Sequence, residues 1–159
     1  MLPFETFELV VESTPLVSLD FVVRGPDGRI LLGLRNNCPA KGYWFVPGGR
    51  IWKGELVTVT FSRLLDVELG LRPKDVTTKP LGLYQHLYSD SFADDSASTH
   101  YVVLAYEIQL QDKPFTLPDE QHSAYKWFER EELLKCSTVH QHTKWYFIKS
   151  KQADLALNN

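Results

Sequence analysis

Cysteine is nearly absent. Cys38 and Cys136 are the only two, far apart and outside any Cys-x-x-Cys or Cys/His ligand spacing. Neither a disulfide framework nor a zinc centre is therefore expected, and two reduced thiols suit a cytoplasmic protein. A basic excess is missing too. Seventeen Lys and Arg stand against 20 Asp and Glu, a formal net charge of −3. The concentrated basic face that grips nucleic-acid polymers or anionic membranes is thus not expected. The most apolar stretch, Leu16–Val23, is broken by Asp20 and falls far short of the ~20 residues of a membrane span. The first residues carry Glu5, Glu8 and Glu12 and no basic run, unlike a secretory leader. No repeat, low-complexity tract or Ser/Gly-rich linker occurs, so residues 1–159 are expected to form one domain.

Aromatic residues, by contrast, are plentiful. Nine Phe, seven Tyr and four Trp make up 13% of 159 residues. Some rings belong to a core, but this many also suits a pocket for flat or sugar-like ligands. Phe7, Tyr88 and Phe92 are candidates for such a pocket by location alone.

Apolar spacing after Pro3 predicts a short amphipathic helix over 3–12. Leu16–Arg24 and Arg29–Arg35 read as strands joined at Gly25-Pro26-Asp27-Gly28, a hairpin. Asn36–Gly49 reads as loop with a brief strand at 44–46. The segment Glu55–Leu71 pulls two ways: Val57–Phe61 alternates like a strand, yet Phe61, Leu64, Leu65 and Glu68 follow helical spacing, and Gly70 suits a helix end. The periodicity predicts a helix. Strands follow at 81–88 and 101–110 around a polar loop, Ser89–Ser98. A short strand is expected at 125–128, with helices at 129–135 and 139–149. This alternation predicts α/β architecture with a mixed sheet.

The segment Trp44–Leu71, WFVPGGRIWKGELVTVTFSRLLDVELGL, carries the chemistry. Gly49, five residues, Glu55, seven residues, Arg63, then Glu68, Gly70 and Leu71 resemble the Nudix box. The WFVPGG lead-in is similar to that family's as well. Two box positions depart from the pattern: Leu64 and Val67 stand where the family carries Glu. On a helix, positions 64, 67 and 68 lie within about 100° of arc, so three carboxylates there would gather several divalent cations for attack at phosphorus. One carboxylate can share one Mg²⁺ with carbonyl and phosphate oxygens.

That erosion, together with STPLVSLDF (13–21), GYWFVPGGR (42–50), THYVVL (99–104) and LPDEQH (117–122), resembles the GDP-mannose mannosyl hydrolase branch of the Nudix family. The resemblance implies an α/β Nudix fold, a mixed sheet sandwiched between helices, and hydrolysis of GDP-mannose or GDP-glucose at sugar carbon. It implies one Mg²⁺, replaceable by Mn²⁺, held by the Gly48 carbonyl, Glu68 and Gln121. His122 would be the general base, Arg35 and Arg50 would neutralise the departing GDP, and Asp20 and Tyr101 would hold sugar and diphosphate. The family's dimeric habit implies a homodimer.

The chemistry is coherent on its own terms. Ordinary glycosides need a general acid for their alkoxide leaving group, whereas a nucleoside diphosphate leaves as a stable anion. An imidazole, with an ordinary pKa of ~6.5, suits deprotonation of water. Arg35 and Arg50 flank a phosphate-sized glycine loop, where guanidinium forks bind phosphate bidentately. Asp20 interrupts an apolar strand, where a carboxylate is costly without a partner. Glu55 and Arg63 read as a structural ion pair, and His86, His100, His140 and His142 carry no assignment. Three other readings stay open: an ordinary phosphohydrolase, a non-catalytic nucleotide-sugar module and a structural dimerisation domain.

Overall fold

β1 (Leu16–Arg24) organises the sheet by alternation. Leu19, Phe21 and Val23 enter one buried cluster, while Val22 enters another on the opposite face. The structure, a computed structural model, describes residues 3–89, 98–112, 117–118 and 122–152. Among these, seven strands form one mixed sheet. β2 (Ile30–Arg35), β3 (Trp44–Phe45) and β4 (Gly48–Arg50) follow β1. Then come β5 (Val76–Tyr88), β6 (Thr99–Leu110) and β7 (His122–Phe128). The order is β3-β2-β1-β6-β5, with β4 on β1 and β7 on β2. β1 and β6 run parallel and the other pairs antiparallel.

Helices cover both faces. α2 (Val57–Leu69) buries Leu64, Leu65 and Leu69 against Leu19, Phe21 and Val23. α3 (Arg130–Lys135) and α4 (Gln141–Trp145) lie on the other face, supplying Leu133 and Trp145 to the second cluster. α1 (Phe4–Ser13) precedes the sheet. The expected α/β sandwich is therefore present. In α2 the helical spacing prevails over the β-branched run because Val57, Thr58 and Val59 stay exposed while the leucines carry the burial. Gly70 closes the helix in the left-handed region, φ 65°, its N–H reaching Asp66 O.

Four boundaries differ from expectation. β4 occupies the glycine segment read as loop, because Gly48–Arg50 pairs with Ser18–Asp20. β5 begins at Val76 rather than 81; as the last strand of the order it tolerates Pro80, which has no N–H to donate. β7 begins at His122, which pairs with Arg35 beside a bulge, so His122 sits at a strand start rather than in a loop. The last helix shortens to 141–145 because Val139 bridges Trp44 instead.

Candidate active site

Strand register brings the candidate residues together. β2–β7 pairing sets Arg35 opposite His122, β1–β4 pairing sets Asp20 opposite Gly48, and α2 delivers Glu68. Arg35, Asn37, Val46, Gly48, Glu68 and His122 line an open cleft of about 340 Å³, solvent space included.

The three box positions on α2 diverge in fate. Leu64 is 3% exposed, lying under Gly49, where a side chain would come within 2.8 Å of it; Val67 is 42% exposed. Only Glu68 reaches the cleft. Its Oε2 lies 3.4 Å from His122 Nε2, and both side chains are buried. His122 Nδ1 is enclosed, with no hydrogen-bond partner among the described residues, so Nε2 is the nitrogen that meets Glu68. The ring rests on Gly33: a Cβ there would lie 2.4 Å from both Cγ and Nδ1. Gly33→Ala is therefore expected to displace the ring and lose ~1–3 kcal/mol of stability. In a His122→Ala background the same change should be nearly neutral. Urea denaturation of the four proteins checks this, and equal losses in both backgrounds would refute the contact.

Asp20, Arg50 and Tyr101 adjoin this cleft without lining it. Asp20 lies behind Gly48, where a Cβ would come within 2.6 Å of Oδ1, and its Oδ2 accepts a hydrogen bond from the Tyr146 hydroxyl at 2.5 Å. Burial pushes this carboxyl up to about 6; the Tyr146 bond and the Arg35 charge pull down, and Glu68 pushes up. Burial also raises the Tyr101 phenol, against the charges of Arg50 and Arg35. Arg35 thus serves both the cleft and this flank.

Arg50 is held from two sides. Its guanidinium lies 4.1 Å over the Phe7 ring of α1, and its carbonyl accepts from Arg63 Nη2 at 2.9 Å. Arg63 also forks onto Glu55 at 2.7 and 2.8 Å and stacks on Trp52. The Arg63 hydrogen bond, first among its causes, holds the Glu55 carboxyl at about 2. Both residues brace the end of β4, Arg63 at the Arg50 carbonyl and Glu55 at the Trp52 N–H, the structural role expected of them.

Other expectations divide. Gln121, Phe92 and most of the Ser89–Ser98 loop lie outside the described residues. Tyr88 is a core residue, packed on Phe45 and His142, so its place as a pocket ring is corrected. Phe7 stacks on Arg50, although location alone suggested a place in a ligand pocket. Asn37, Gly33 and Tyr146 were not anticipated, since no motif marks them; their roles arise from strand register and from a turn after α4. Among the described residues no group of three or more His, Cys, Asp and Glu side chains is arranged to hold a metal. Gly48 and Glu68 both line the cleft, and the hard oxygens of a backbone carbonyl and a carboxylate are the kind that fit Mg²⁺ completed by substrate phosphates.

Comparison with known proteins agrees with this fold. The NUDIX domain family profile matches residues 14–149. The low-salt glycan biosynthesis protein Agl8 of Haloferax volcanii is 43% identical over 129 residues, 80% of each chain. The ADP-ribose pyrophosphatase of Methanocaldococcus jannaschii is 28% identical over 127 residues, 80% of this chain and 69% of that protein. Among solved structures, the MutT NUDIX hydrolase of Burkholderia pseudomallei superposes with TM-score 0.66 at 25% identity, covering 84% of this chain and 96% of its own. With a match that takes in the sheet, the box on α2 and both closing helices, the chain belongs to the Nudix hydrolase family.

Proposed function

We propose that this Nudix hydrolase cleaves GDP-hexoses, GDP-mannose and GDP-glucose, at the sugar C1–O bond with inversion, releasing GDP and the free hexose. One observation carries the reading: among the described residues a single carboxylate, Glu68, lines the cleft where the box would otherwise cluster several, and it stands beside a buried imidazole. The name of the 43% relative, a glycan biosynthesis protein, supports a sugar donor as substrate. Two free cysteines suit the cytoplasmic setting of the proposal, and a homodimer belongs to it.

His122 takes one proton from water as the water oxygen bonds to C1 and the C1–O bond to the diphosphate breaks. The imidazole that receives it has its Nε2 3.4 Å from Glu68 Oε2. The bonding pair leaves with GDP, an anion that needs no proton from a general acid. Arg35, on the cleft wall, and Arg50, braced by Phe7 and Arg63, neutralise that anion. Gly48, Glu68 and Gln121 would hold Mg²⁺. When bound, it supplies further positive charge to the departing diphosphate. Attack from the face opposite the leaving group converts an α-linked donor to a β-hexose.

The reading that competes is attack at phosphorus, as the name of the 28% relative, ADP-ribose pyrophosphatase, would suggest. Hydrolysis of GDP-mannose in ¹⁸O-water separates them. Label is expected in the hexose and absent from GDP, with the β-anomer seen first by NMR. Label in phosphate would overturn the proposal.

A further inference from the structure

Tyr146 follows α4 and is buried behind the cleft. Its hydroxyl has one proton, and that proton goes to Asp20 Oδ2. The phenol oxygen then has only lone pairs left for His86 Nε2, 3.4 Å away, so His86 presents an Nε2–H there. His86 stacks on His142 with centroids 4.3 Å apart and planes 7° from parallel. Tyr84 packs edge-on to the Tyr146 ring at 4.8 Å. The phenol is thus fixed by ring packing on one side and by the imidazole on the other.

An aspartate carboxyl turns readily about its last torsion. With Oδ2 tied to Tyr146, a single orientation remains, and Oδ1 lies against Gly48 in the cleft wall. Gly48 has no side chain to screen that oxygen. We propose that Tyr146 is a positioning residue of the active site: by holding Oδ2 it aims Asp20 Oδ1 past Gly48 as the acceptor for a hydroxyl of the bound hexose. This rests on the GDP-hexose reading. It assigns hexose selection to a pair, Asp20 and Tyr146, joined across 126 residues of sequence.

Tyr146→Phe removes one oxygen and keeps the ring against Tyr84. Its kcat/KM for GDP-mannose is expected to fall about tenfold, the scale of one hydrogen bond to a charged group. In an Asp20→Ala background, which leaves no oxygen for the Tyr146 hydroxyl, the same substitution should change kcat/KM no further. Some stability is lost with the buried bond, so the coupling is the readout. A tenfold loss in both backgrounds, or none in either, overturns the proposal. The ¹³C carboxyl resonance of Asp20, identified by its disappearance in Asp20→Asn, gives a test free of turnover. It should move in Tyr146→Phe. If it moves while the parent protein hydrolyses no GDP-hexose, the Tyr146–Asp20 link stands and the GDP-hexose reading falls. If it stays in place, the link itself is overturned.

Discussion

His122→Gln is expected to lower kcat for GDP-mannose by roughly 10²–10⁴-fold, the range for loss of a positioned general base. Glutamine retains a donor that can reach Glu68, and its length lets it occupy the space over Gly33, so KM and the melting temperature should stay close to the parent's. The separation follows from the geometry. His122 is buried at the start of β7, its ring backed by Gly33 and its Nε2 turned to Glu68, and neither packing contact requires the imidazole to accept a proton. What remains in the variant is anion stabilisation by Arg35 and Arg50, which should leave measurable turnover. A variant that hydrolyses GDP-mannose at the parent's rate would move the base elsewhere and remove the imidazole from the mechanism.

Much of this site could be read from the chain because a spacing motif is a local constraint. Gly48, Glu55, Arg63 and Glu68 sit within one turn-and-helix unit, where separation along the chain fixes separation in space. The helix itself was legible only through the spacing of Phe61, Leu64, Leu65 and Glu68 and the closing Gly70; propensity alone would have favoured a strand at Val57–Phe61, and burial of Leu64, Leu65 and Leu69 decided the matter. Long-range partners were beyond reach. Nothing in the sequence near Asp20 points to Tyr146, because their contact depends on α4 folding back over the sheet. The same holds for Gly33. A glycine inside a strand signals a close approach, but only the β2–β7 register shows that the approaching group is His122. Asp20 illustrates both sides. Its presence in an apolar strand flagged it correctly as unusual, yet its place behind Gly48 rather than on the cleft wall came from β4 pairing with β1, in a segment that reads as loop.

Stability is expected to be flat above pH ~6.5 and to fall as the solution is acidified, because two buried histidines must stay neutral in the fold. His86 and His142 are each 1% exposed. Burial, reinforced by neighbouring histidines, pushes His86 down to about 2 and His142 down to about 3. In the unfolded chain both return to ~6.5, so below that pH the unfolded state binds more protons and gains on the native one. Each histidine then removes up to ~1.4 kcal/mol per pH unit. Asp20 works the other way. Its folded value of about 6 exceeds the ordinary 3.8, so between those limits the native state takes up the extra proton and offsets about one histidine. The two histidines and Asp20 together thus lose ~1.4 kcal/mol per pH unit from about pH 6 to 4. Below that the slope steepens, because the Asp20 contribution is complete and the Glu55 carboxyl, held at about 2 by Arg63, stays ionised in the fold while it protonates in the unfolded chain. Exposed pairs such as Arg72–Asp75 and Lys126–Glu132 are too well screened to change this slope appreciably. Urea midpoints measured from pH 8 to 4 check the curve. His142→Asn, which removes one titrating ring from the stack, should flatten it by about one proton per molecule, whatever it does to stability at pH 8. A midpoint unchanged between pH 7 and 4.5 would mean that these rings accept protons without unfolding, and the neutral stack behind Tyr146 would have to be abandoned.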